Sequence, residues 1–233
     1  MIEGKNPDFV LVQAEESASA KALAGLPSLI THTERVGGQC LADVSYKNVD
    51  ALEPGSIPYT SQVLMFENQG TTESFWNSVR SDHLTKELID DPKVRILAAQ
   101  GLPKEGIPGD PLPTVASNYI MPDTKEPPGY MFIDGEAYEE KKLLKYREII
   151  FELMLERASY YLVICEADGV RVLSGSWDEN IFAISKWPTR GHGRDFWYCD
   201  RYQNEGIPTR AGAGHFHVNL FEGKLLQAAS SLW

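Results

Sequence analysis

Apolar and polar positions fall into two similar series along the chain. Residues 9–16 read Phe-Val-Leu-Val-Gln-Ala-Glu-Glu, a β-prone apolar run that closes on polar residues. Residues 130–136, Tyr-Met-Phe-Ile-Asp-Gly-Glu, repeat that pattern 121 positions later. Helical spacing follows each run. It takes in Ala22, Leu26, Leu29, Ile30 and Thr33 within 17–36, and Leu143, Leu144, Ile149, Ile150, Leu153 and Met154 within 138–158. Gly25 and Pro27 predict a weakened or kinked first helix. Further strands are expected at 38–42 and 160–166, at 62–66 and 181–185, and at 94–99 and 215–221. Phe75-Trp76 and Phe196-Trp197 each open a short second helix. Landmarks in one order at one spacing mark an internal tandem repeat.

The pattern therefore predicts one βαββαβ unit over 1–100, a proline-rich surface linker over 101–129, and a second unit over 130–233 that includes a C-terminal tail. A second irregular insert, 48–59, separates the second and third strands of the first half.

Composition narrows the function more than the fold. A net charge of −11, from 22 basic and 33 acidic residues, repels phosphate backbones and anionic lipid surfaces, so no nucleic acid or membrane partner is expected. No apolar run is long enough to span a bilayer, and the first residues carry no secretory signal pattern. Cys40, Cys165 and Cys199 are odd in number and lack CxxC spacing, which fits free thiols in a reducing, cytoplasmic compartment.

Several segments resemble a known family. Leu26-Pro27-Ser28-Leu29-Ile30, followed by Gly37-Gly38-Gln39-Cys40-Leu41, is similar to the helix-to-strand signature of the small bacterial domain-of-unknown-function 1330 family. The second half continues the likeness with Val172-Leu173-Ser174-Gly175-Ser176-Trp177-Asp178, Trp187-Pro188, Phe196-Trp197, Tyr202, Arg210 and Phe221-Glu222-Gly223. The resemblance implies the α+β fold class: ferredoxin-like repeats of the dimeric α+β barrel superfamily, with antiparallel sheets packed face to face inside one chain. The first half lacks the tryptophan-bearing segment and has the 48–59 insert instead, so a site built on that segment is expected in one half only.

Strand parity selects the candidate chemistry. Met131, Ile133 and Gly135 share a face, as do Phe216, Val218 and Leu220, and these apolar faces are expected against helices. Tyr130, Phe132, Asp134 and Glu136, with His215, His217, Asn219 and Phe221, then face the space between the sheets. The implied topology sets the two strands side by side, bringing carboxylates to imidazoles as acid/base chemistry requires. At the same offset the first half has Gln13, Glu15, Val94 and Ile96, with no histidine.

The resulting expectation is an enzyme without a cofactor that does acid/base chemistry, as an isomerase or a lyase (cyclase, dehydratase or decarboxylase), on a small apolar or aromatic metabolite. The ligand lies between sheet and helices. His215 and His217 are the acid/base pair, and Asp134 and Glu136 orient them or relay protons. Tyr130, Phe132, Trp197, Asn219, Phe221 and Trp177 wall the pocket. The superfamily resemblance implies secondary metabolism, and some of its barrels hold haem. A non-catalytic small-molecule-binding module and a metal- or haem-dependent enzyme stand as alternatives. No metal is assigned: His-x-His needs a third ligand, which Glu136 or Asp134 could supply, but nothing in the sequence demands one. Pairing of two chains as a homodimer stays open.

Lesser candidates are Gly191-His192-Gly193-Arg194-Asp195, expected as a loop before a helix capped by Asp195 and able to cradle an anion, and the lone His32 and His83.

Overall fold

A computed structural model describes residues 6–118 and 124–225. The first half contributes β1 (Asp8–Ala14), α1 (Ala20–Arg35), β2 (Gln39–Val44), β3 (Asp50–Ala51), β4 (Thr60–Phe66), α2 (Gln69–Ser81), α3 (Lys86–Asp90) and β5 (Val94–Gln100). The second contributes β6 (Gly129–Ala137), α4 (Glu140–Glu156), β7 (Tyr160–Glu166), β8 (Val170–Ser174), β9 (Ile181–Trp187), α5 (Arg190–Tyr198), α6 (Ile207–Arg210) and β10 (Gly214–Glu222). No described helix is long and apolar enough to cross a membrane.

Two antiparallel five-stranded sheets result, ordered β2-β4-β1-β5-β8 and β3-β10-β6-β9-β7. Four strands of each follow the ferredoxin-like order. The fifth is exchanged: β8 of the second half extends the first sheet beside β5, and β3 of the first half extends the second beside β10. The 48–59 stretch is thus the counterpart of the tryptophan-bearing segment. A tight turn over Tyr46–Asn48 precedes β3, as one over Ala167–Gly169, 121 positions on, precedes β8. Each half therefore has a crossing arm, which corrects the expectation of an irregular insert in one half. Ion pairs fasten both arms: Arg171 reaches buried Asp8, and Asp50 is gripped by Arg190 and Arg194 at 2.7 Å each.

Alternation along the strands builds three cores. Phe9, Leu11, Leu97, Phe132, Phe182, Ile184 and Phe221, all 0% exposed, fill the space between the sheets. Val10, Val12, Leu64 and Ile96 pack under α1 and α2, and Met131, Val218 and Leu220 pack under α4 and α5. The parity assignment of both faces is what the structure shows. Two local expectations change. α1 runs on through Pro27, started by the Ser19 side chain accepting from the Ala22 amide. Residues 191–195 lie inside α5, which is capped by Thr189 instead of Asp195, with the Thr189 hydroxyl accepting from the His192 amide. Gly193 lets the helix pack closely there, where a β-carbon would meet the Leu220 side chain at 2.8 Å.

Gly135 is the tightest point of the second sheet. Its φ is +155°, and an added β-carbon would fall 2.0 Å from the His215 carbonyl oxygen. We expect Gly135→Ala to lower stability by about 2–4 kcal/mol in urea titration, because the strand pair must separate to admit the methyl group. A loss within about 0.5 kcal/mol would contradict this close approach.

Candidate functional site

The ladder between β6 and β10 sets Glu136 opposite His215 and Asp134 opposite His217. The predicted residues do meet at one end of the inter-sheet core. His215 and Glu136 are exposed at its rim, His217 is half-buried, and Asp134 and Asn219 are buried at its floor. The two imidazole rings lie 4.7 Å apart, edge to face.

Their partners differ from expectation. Asp134 Oδ2 accepts from Arg95 Nη2 at 2.7 Å, and Arg95 Nε donates to Gln13 Oε1 at 2.8 Å. The Arg95 guanidinium also covers the Tyr59 ring at 5.0 Å. Glu136 accepts from the Tyr138 hydroxyl at 3.1 Å. Asp134 Oδ1, His217 Nδ1, Gln13 Nε2, Asn219 Oδ1 and Trp177 Nε1 are buried without a hydrogen-bond partner among the described residues. Burial and the neighbouring Asp134 carboxylate push the Glu179 carboxyl up, while His217 pulls it back.

Arg95 comes from the first half, which corrects the earlier correspondence. Gln13 pairs with Arg95 as Asp134 pairs with His217, so β5 and β10 correspond at an offset of 122 and not 121. The counterparts of His215 and His217 are Lys93 and Arg95, whereas Val94 and Ile96 face the helices. Phe75 and Phe196 still correspond at 121. The extra residue therefore enters after α5, in the stretch holding a wide π-type turn over Tyr202–Gly206. Such turns are one-residue insertions into helices and recur at functional sites.

That turn borders a cavity of about 120 Å³ on the other face of the second sheet, between β6, β9, β10 and helices α4 and α5. Met131, Ile150, Met154, Tyr161, Phe196 and Trp197 are among its apolar walls. Trp197 thus lines this cavity, whereas Tyr130, Phe132 and Phe221 lie in the inter-sheet core and Trp177 packs against that core. The sheet separates the histidines from the cavity. No histidine or cysteine lines it, and no group of three or more His, Cys, Asp or Glu suited to a metal ion occurs among the described residues.

One end of the cavity is polar. Tyr146 and Tyr202 share a hydrogen bond between their hydroxyls at 2.9 Å. Arg210, 7% exposed, lies over the rings of Phe216, Tyr146 and Trp197 at 5.4, 5.8 and 5.9 Å. Its Nη2 pairs with Glu53, carried in on the arm of the first half, and its Nε is buried without a partner. Burial pushes the Tyr146 phenol up against the pull of Arg210, and burial with neighbouring Tyr146 pushes Tyr202 well above its ordinary value. Sequence reasoning met Tyr202 and Arg210 only as landmarks of the resemblance. Tyr146 follows Leu143 by three positions and precedes Ile150 by four, so it was legible as a member of the buried helix face. Glu53 carried no signal.

No protein-family model matches the chain, and no curated protein matches it. Solved structures do. An anthrone oxidase-like protein aligns over 96% of this chain and 93% of its own at 8% identity, with a TM-score of 0.51. A candidate monooxygenase from Lactobacillus acidophilus NCFM aligns over 96% and 100% at 9% identity, TM-score 0.44. A chlorite dismutase variant from Candidatus Nitrospira defluvii aligns over 94% and 92% at 8% identity, TM-score 0.41. Likeness at such low identity concerns the path of the backbone, and with the strand order it leads to one statement: the chain has the fold of the ferredoxin-like α+β barrels, with both sheets supplied by one molecule.

Proposed function

We propose that the protein is an enzyme that binds a small apolar or aromatic molecule in the cavity under α4 and moves a proton on it with its own side chains. The observation that carries this reading is the buried polar end, where the Tyr146–Tyr202 pair and the unpartnered Arg210 Nε close an otherwise apolar pocket. Apolar walls with a few convergent polar groups are the usual form of a small-molecule site. The volume is close to that of a cavity able to take one benzene-sized ring, about 150 Å³.

Burial keeps the phenols protonated, so this end offers only O–H and N–H donors. A carbonyl oxygen placed there is polarised, and negative charge developing on it is stabilised in a low-dielectric site. A phenol that has donated its proton to the carbonyl oxygen is held as phenolate beside the guanidinium, where it takes up the α-hydrogen of the same substrate, leaving the enol and restoring the phenol. Proton shifts of the isomerase or lyase kind need nothing more at this step. The tyrosines, and not the histidines, touch the cavity.

The test follows α-hydrogen exchange of acetophenone into heavy water by NMR. The protein should accelerate exchange, and Tyr146→Phe/Tyr202→Phe should reduce that acceleration by about 10²–10⁴-fold with circular dichroism unchanged. Exchange as fast in the double variant as in the parent would sink the assignment.

A further inference from the structure

The cavity adjoins a wider space on the surface. Leu143, Arg147, Ile164 and Ile181 line both it and an outer vestibule of about 740 Å³. That vestibule carries Asp110, Glu140, Glu166 and Asp168. Arg147 stands at the join, its guanidinium 5.2 Å from the Phe151 ring and its Nε buried without a partner. Asp110, from the proline-rich segment, lies 3.6 Å from it and partly neutralises it. Four carboxylates and one guanidinium therefore line the way in, on a chain of net charge −11. Inside, the order reverses, with donors at Arg210, Tyr146 and Tyr202 around an apolar space.

We infer that the site takes its ligand in as a neutral molecule and holds it as the oxyanion, so that its substrates are neutral enolisable carbonyl compounds or phenols and not carboxylates. The inference rests on the cavity reading above and adds the sorting by charge. A carboxylate meets four like charges against the single Arg147 guanidinium before it reaches the donors of the cavity, each close like charge costing about 1 kcal/mol at 4 Å in water. A neutral enol or phenol crosses without that penalty. Once inside, it exchanges water for fixed donors, which favours its ionised form. Selectivity of this kind is a difference between two affinities, set by the repulsive vestibule and the attractive interior together.

Two single-ring probes of matched shape test this on the full chain: 4-nitrophenol, whose ionisation is read from its absorbance, and 4-nitrobenzoate. Bound 4-nitrophenol should titrate about one pH unit or more below the free compound. Nitrobenzoate should bind at least about tenfold more weakly, with the gap narrowing as salt rises. Asp110→Asn/Glu140→Gln should narrow the same gap at low salt. Arg210→Gln/Glu53→Gln, which leaves no buried charge behind, should still bind nitrophenol but lose the lowered titration; Tyr146→Phe should lose part of it. Failure of 4-nitrophenol to bind overturns the cavity reading itself. Nitrophenol bound with an unshifted or raised titration, or nitrobenzoate bound as tightly, overturns the charge sorting while leaving the cavity reading intact.

Discussion

Replacing Arg95 by Met lowers stability by about 3–5 kcal/mol, the loss expected when a buried charge is left without its partner. Asp134 is 1% exposed, and its ion pair with Arg95 is the contact that compensates its carboxylate. Gln13 loses the donor on its Oε1 in the same substitution. Removing the carboxylate as well, in Arg95→Met/Asp134→Leu, should restore most of the loss, because two apolar side chains of similar bulk need no partner. Chemical denaturation of the four proteins in this cycle gives the coupling between the two residues directly. A single variant that loses under about 1 kcal/mol would show that Asp134 finds compensation elsewhere.

Expressed separately, residues 1–118 and 124–233 should each fail to unfold cooperatively, and mixing them should restore a cooperative transition. Each fragment lacks the strand that the other supplies, so β5 and β10 are left as open edges. Each also exposes its side of the inter-sheet core, where Phe9, Leu11 and Leu97 meet Phe132, Phe182, Ile184 and Phe221. Uncovering those side chains costs on the order of 10 kcal/mol, as much as the whole stability of an ordinary domain. A sharp thermal transition in either fragment alone would refute mutual dependence and favour the division into independent repeats.

The framework was legible in the sequence because both its periods were intact. Alternation along 130–136 and 215–221 correctly separated the helix-facing residues from the inter-sheet ones, and the nearness of Asp134 and Glu136 to His215 and His217 followed from parity together with the topology that the family resemblance implied. The partners of those residues were not legible. Arg95 was passed over because a constant offset of 121 led from His217 to Ile96, and a slip of one residue turns every side chain to the other face. The crossing arms escaped notice for a related reason: β3 spans only Asp50–Ala51, too short for alternation to register, and its pairing is with the opposite half. The cavity was invisible at its polar end, since Arg210 reaches Tyr146 and Glu53 only through packing between elements far apart in the chain. Patterns read along a strand say which face a residue occupies; they say nothing about what arrives from elsewhere.

Glu53 has a consequence beyond its ion pair. The cavity of the second half is finished by a residue delivered from the first, on an arm that two separate chains would have to exchange on meeting. Here the donor is tethered to the acceptor, so its local concentration is set by chain length and not by the amount of protein present. Dilution therefore cannot strip Glu53 from Arg210, and activity per molecule should hold constant down to the most dilute assay.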